Sequence, residues 1–164
     1  MRLTMHTDFA LRTLMYLGLR PGRLASIPEI ATAYGISENH LTKVVHGLGR
    51  AGFVETLRGR GGGLRLALPP ERIRIGDVVR HAEEDLALVP CFGPGGESRD
   101  DTAGARCAIS GACRLQSLLG EALAAFLAVL DGATLADLLA GPVAGAMASR
   151  LGLPPVQGAA GAAP

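Results

Sequence analysis

Ser26-Ile27-Pro28-Glu29-Ile30-Ala31-Thr32-Ala33-Tyr34-Gly35-Ile36-Ser37-Glu38-Asn39-His40-Leu41 contains two helix starts with a helix stop between them. Ser26 and Glu29 stand at the spacing of a capping box, and Pro28 falls early in the helix, where a missing N–H costs nothing. The helix predicted through Tyr34 stops at Gly35, the residue best suited to the left-handed conformation at the end of a helix. Ile36 is then the buried residue of a short turn. Ser37 is positioned to cap a second helix from Glu38 to about Ala51, with Leu41, Val44, Val45 and Leu48 facing inward. A helix, a short glycine turn and a second helix make a helix-turn-helix.

The second helix leaves a polar face. With its apolar stripe buried, Asn39, His40, Thr42, Lys43 and His46 remain outside, with Ser37 at the helix start. An ordinary surface helix would also be polar there, but Asn can pair bidentately with adenine and Lys can reach guanine or phosphate in a major groove. The segment after the helix favours DNA. Beyond Gly52 the period changes from 3.6 to 2: Phe53-Val54-Glu55-Thr56-Leu57-Arg58 alternates, and so does Leu64-Arg65-Leu66-Ala67-Leu68, around Gly59-Arg60-Gly61-Gly62-Gly63. This predicts a hairpin, or wing, that presents Arg58 and Arg60 to phosphates or to a minor groove. It is not a nucleotide-binding P-loop, which needs Lys followed by Ser or Thr.

Before this unit, Thr7 is the expected N-cap of a first helix running to Gly18, with Asp8 in its first turn, where the helix dipole is explanation enough for a carboxylate. After the unit, Pro69-Pro70 closes the hairpin and a short helix begins near Ile75, before the acidic Glu83-Glu84-Asp85. From about Ala112 a long helix carries Leu115, Leu118, Leu119, Ala122, Leu123, Phe126, Leu127 and Leu130 at steps of three and four. A small winged-helix core closes itself, so this stripe is expected to pair with the same helix of a second chain; packing within one monomer is the alternative. A homodimer suits palindromic double-stranded DNA, whose half-sites two symmetry-related helices would read. Thr134-Leu135-Ala136-Asp137-Leu138 predicts a last short helix. The expected fold is mostly α with a small β-hairpin. A winged helix-turn-helix DNA-binding domain covers 1–82, a cysteine loop 83–113, a dimerisation helix with a short C-terminal helix 114–141, and a disordered tail 142–164.

Charge supports a polyanion-binding front. Residues 1–80 carry twelve Lys/Arg against six Asp/Glu, and residues 81–164 carry four against nine, although the whole chain of 164 residues is nearly neutral at +1. The N-terminal stretch lacks the apolar core of a signal peptide, and no window has the length and apolarity of a membrane span, so a cytoplasmic protein is expected. No acid–base pair, activated nucleophile or substrate cradle stands outside the cysteine loop, which argues against the enzyme alternative, a redox or metal-dependent catalyst.

The three cysteines, Cys91, Cys107 and Cys113, are separated by fifteen and five residues in a loop rich in Gly, Asp and Ser that is too polar to build a core. Thiolates on a metal or cluster would order it, and the odd count argues against a closed disulfide framework. One disulfide with a free thiol is the alternative.

Met1-Arg2-Leu3-Thr4 leading to Thr7-Asp8, Leu11-Arg12, Gly35-Ile36-Ser37, Arg58-Gly59-Arg60-Gly61-Gly62-Gly63, Ile75-Gly76-Asp77-Val78-Val79, Cys107, Cys113-Arg114-Leu115 and Thr134-Leu135-Ala136-Asp137-Leu138 stand in one order over residues 1–140. Together they resemble the iron–sulfur winged-helix transcriptional regulators, a family of nitric-oxide-sensing repressors and regulators of cluster assembly. The resemblance implies a [2Fe-2S] or [4Fe-4S] cluster on Cys91, Cys107 and Cys113. In the cluster-assembly branch a His three residues after the last cysteine completes the ligand set, and here that position is Gln116. The nitric-oxide-sensing branch instead offers an Asp early in the first helix across the dimer, and Asp8 matches it. The implied function is therefore a repressor released by nitric oxide, with an iron-supply or redox sensor of the same fold as the alternative. The family places about five residues between the first two cysteines; the longer loop here costs only about 0.9 kcal/mol in closure entropy, compatible with Cys91 as a ligand.

Overall fold

The computed structural model describes residues 2–89, 109 and 112–154. In chain order the elements are α1 (Met5–Gly18), α2 (Ile27–Tyr34), α3 (Glu38–Arg50), strands β1 (Val54–Leu57) and β2 (Gly63–Leu66), a 3-10 turn (Pro70–Arg72), α4 (Ile75–Ala82), α5 (Arg114–Asp131), α6 (Leu135–Leu138) and α7 (Pro142–Arg150). The architecture is mostly α with one small β-hairpin, as the periodicities predict.

Local chemistry sets the helix-turn-helix. Ser26 and Glu29 exchange both bonds of the capping box, and Gly35 takes φ 64° at the end of α2. Leu41, Val44, Val45 and Leu48 of α3 are buried, while Ser37 occupies the N-cap position without a side-chain capping bond. In the hairpin, Val54 pairs with Leu66, Glu55 with Arg65, Thr56 with Leu64 and Leu57 with Gly63. On its other edge β2 exchanges two backbone hydrogen bonds with Ala25, through Ala25 N–H to Leu64 O at 3.0 Å and Leu64 N–H to Ala25 O at 2.7 Å. The wing is thereby tied to the segment that leads into α2.

The core lies between α1, α2, α3, the hairpin, α4 and α6, with Leu14, Tyr16, Ile30, Leu41, Leu48, Leu64, Ile73 and Leu135 among its most deeply buried residues. Leu135 places α6 in the same core as α1, so the winged-helix unit is completed by residues from beyond the long helix rather than ending near residue 82.

Two expectations are corrected. The N-cap of α1 is Thr4, whose hydroxyl accepts the Thr7 N–H at 3.3 Å; Thr7 is fully buried inside the first turn. Thr7 donates its hydroxyl to Glu83, which also accepts the Thr4 N–H and hydroxyl, so a carboxylate distant in sequence fixes the start of α1. The predicted disordered tail begins too early. Residues 142–150 form α7, with Pro142 in its first turn, Ala144 and Ala148 buried, and Leu151 and Leu153 packed against the core. Burial of small side chains offsets an ordering cost that composition alone makes prohibitive. The remaining tail, 155–164, lies outside the described residues.

Candidate DNA interface and metal-binding residues

At about 100° per residue, the direction opposite the buried stripe of α3 is occupied by Asn39, Lys43, His46 and Arg50, all exposed. The other predicted contacts stand to either side of this line. His40 lies beside Phe9 of α1, with ring centroids 6.5 Å apart, and the Thr42 hydroxyl donates to the Glu38 carbonyl at 2.8 Å. Ser37 is exposed at the helix start with its hydroxyl free of capping. Arg50 is absent from the contacts expected from the sequence, which stop halfway along α3. Counting on from Asn39 by four, three and four residues finds it.

The wing adds a second arm. Arg58 and Arg60 are exposed in a loop held by Gly59 and Gly61 at φ 99° and 82°, and a Cβ on Gly62 would collide with the Leu57 carbonyl oxygen. Arg12, Arg20, Arg65 and Arg80 are paired with Asp8, Glu29, Glu55 and Asp131, whereas Lys43, Arg50, Arg58 and Arg60 have no carboxylate partner among the described residues. Cations on the outer face of the second helix of a helix-turn-helix and at the tip of its wing, free of carboxylates, are suited to neutralise phosphates.

Of the predicted metal ligands, Cys91 and Cys107 lie outside the described residues. Cys113 is a free, half-buried thiol at the N-cap position of α5, and it makes no capping hydrogen bond. It is a soft donor at the end of an 18-residue helix whose dipole favours the negative charge of a thiolate ligand set. Asp8 is half-exposed on α1 and accepts from Arg12 Nε at 2.9 Å. The Arg12 guanidinium in turn lies 5.8 Å from the ring centroid of Tyr34, the last residue of α2, and burial pushes the Tyr34 phenol up to about 12. No hydrogen bond or ion pair joins Asp8 to Cys113 within the chain, and no three donors converge among the described residues. The donors present are chemically suited to iron: one unengaged thiol and one accessible carboxylate.

A three-helix core, a two-stranded wing and an exposed cationic helix face define a winged-helix DNA-binding protein. The chain belongs to the Rrf2 family, described as iron-dependent transcriptional regulators, which residues 3–141 match. It is a DNA-binding transcriptional regulator. It is 51% identical over 140 residues to the HTH-type transcriptional regulator NsrR of Bacillus subtilis (strain 168), covering 85% of this chain and 90% of that protein. Among solved structures it is similar to T. potens IscR, at 26% identity and a TM-score of 0.65 over 85% of this chain and 86% of that one. It is also similar to CymR, the global cysteine regulator of B. subtilis, at 27% identity and a TM-score of 0.64 over 84% of this chain and 95% of that one. Among the described residues no helix is long and apolar enough to cross a membrane.

Proposed function

We propose that this protein is a repressor that binds palindromic double-stranded DNA as a cytoplasmic homodimer and releases it when nitric oxide attacks an iron–sulfur cluster. The observation that carries the DNA half is the line of Asn39, Lys43, His46 and Arg50 on α3, flanked by Ser37, His40 and Thr42 and backed by the unpaired Arg58 and Arg60 of the wing. Asn39 is suited to a base edge and Lys43 to a base or phosphate, while Arg50, Arg58 and Arg60 hold the backbone on either side. The dimer reading rests on α5, none of whose residues is buried within the chain despite its apolar stripe.

Cys91, Cys107 and Cys113 would hold the cluster, with Asp8 of the partner subunit as fourth ligand. The family's iron dependence and the identity with NsrR support this assignment. When bound, the cluster supplies an iron centre that reacts with nitric oxide. Asp8 would be the one hard donor in a soft set and so the ligand most easily displaced. It sits on α1, whose inner face packs against α3 and α4. A change in what Asp8 holds therefore acts on the helix that supports the recognition helix.

The test is anaerobic purification followed by visible absorption and DNA-binding anisotropy during a nitric oxide titration. Loss of cluster absorption and of DNA in parallel is the expected result, and Asp8→Ala then gives a weaker-binding or more sensitive cluster. Tight DNA binding by a colourless protein that cannot be reconstituted with iron and sulfide would remove the cluster from the mechanism and leave the DNA interface in place.

A further inference from the structure

The C-terminal end of α5 is clasped to α4. Arg80 of α4 donates from Nη1 to Asp131 Oδ1 at 2.6 Å and from Nη2 to Asp131 Oδ2 at 2.5 Å, a parallel fork across 51 positions of sequence. Asp77, one turn earlier, lies 3.6 Å from the same guanidinium. The carboxylate rests on the backbone of the first turn of α4, where a Cβ on Gly76 would run into Asp131 Oδ1. Backbone bonds stitch the same junction. Ile75 N–H donates to Ala133 O at 2.9 Å, Leu135 N–H donates to Ile73 O at 2.8 Å, and Arg74 bridges Thr134.

Every one of these attachments is at one end of α5. The helix has 18 residues, about 27 Å at 1.5 Å per residue, and none is fully buried, although Leu119, Leu123, Phe126, Leu127 and Leu130 are half-buried and Leu119 and Phe126 line a cavity shared with Leu86 and Leu88. The clasp is therefore well placed to set its direction relative to the winged-helix unit. An exposed ion pair adds little stability, but a planar guanidinium bonded twice to one carboxylate resists both rotation and sliding, which a single ammonium contact would not. Hydrogen bonding from Arg80 holds the Asp131 carboxyl below its ordinary value, so both partners stay charged at neutral pH.

We propose that Arg80 and Asp131, with Gly76 making room for the carboxylate, are positioning residues for DNA binding: their clasp fixes the angle at which the winged-helix unit leaves α5 and so the separation of the two recognition helices in the dimer. This rests on the reading of α5 as the dimer helix. A fixed separation is what a two-fold operator demands, because half-sites are recognised only in register with the DNA helical repeat.

The experiment is pulsed EPR on the full-length protein, with a spin label coupled to an unnatural amino acid at the exposed position 71, outside the DNA face and independent of the cysteines. The unsubstituted pair should give a single narrow inter-subunit distance. Arg80→Gln, Asp131→Asn and Gly76→Ala should each lose that single distance and give a broad distribution, with little change in the thermal midpoint. The reversed pair, Arg80→Asp with Asp131→Arg, should restore a narrow one. A narrow distribution in all three single variants would overturn the clasp as the positioning device, even if the protein is dimeric. Absence of any inter-subunit distance in the unsubstituted protein would overturn the dimer reading, and the proposal with it.

Discussion

Helices α1 and α5 are both amphipathic, yet they meet opposite fates. The 14 residues of α1 bury six side chains, including the polar Thr7 and Thr13, while the 18 residues of α5 bury none. Leu14 is fully buried at 0% exposure; Leu115 and Leu118 of the α5 stripe are 60% and 61% exposed. An apolar face identifies a helix that must pack, but not what it packs against. For α1 the surrounding chain buries that face, and for α5 it leaves it half-covered at most.

Among five substitutions, Leu14→Ala, Glu83→Gln and Leu118→Ala test that contrast directly. Leu14→Ala should cost about 2–5 kcal/mol, because it removes a fully buried side chain from the core. Urea unfolding measures it, and a loss no greater than that of an exposed leucine would dissolve the distinction. Glu83→Gln should cost about 1–2 kcal/mol by weakening the carboxylate hydrogen bonds that fix the start of α1. Burial opposes the charge of Glu83, but the Thr7 hydroxyl and the Thr4 N–H and hydroxyl outweigh it and hold the carboxyl below its ordinary 4.5. A folded value below the unfolded one stabilises above pH 4.5, and this contribution is lost as the pH falls through the folded value. The gap between wild type and Glu83→Gln should therefore narrow on acidification. A constant gap would mean that the charge is irrelevant.

Ser26→Ala should cost about 1 kcal/mol through the lost cap of α2, read as a lower thermal midpoint. Leu118→Ala should shift stability by less than about 0.5 kcal/mol in dilute protein, where α5 is exposed. Its effect should appear instead in the concentration dependence of stability, which a dimer shows and a monomer does not. For DNA, Arg60→Ala should weaken binding to all sequences and reduce the salt slope by about one unit, and an unchanged slope would take Arg60 off the phosphate.

How much of the fold is legible in the sequence depends on the range of the forces involved. The capping box at Ser26 and Glu29, the turn at Gly35 and the hairpin between Val54 and Leu66 depend on residues a few positions apart, and the sequence displays them directly. The start of α1 does not. Thr4 and Thr7 are both acceptable caps, and the choice between them involves Glu83, which lies across the fold. Helix α7 is hidden by composition, since Ala and Gly look like linker until tertiary contacts bury Ala144 and Ala148. Within the proposed interface, Asn39 and Lys43 are singled out by side-chain type alone. The displacement of His40 toward Phe9 needs the neighbouring helix to be in place. The assignment of Cys113 draws on family resemblance, and the structure adds that its thiol is not used as a helix cap.

The burial of Leu135 in the same core as Leu14 and Ile30 also governs how the protein emerges from the ribosome. A nascent chain that has only just cleared α4 holds the reading head and the wing, yet it leaves Ile73 without Leu135, whose N–H donates to the Ile73 carbonyl. Contacts between distant segments wait on synthesis of the later one. The core of the DNA-binding unit is complete only once the long helix has been made and the chain has turned back, by which point the cysteine loop has already been translated.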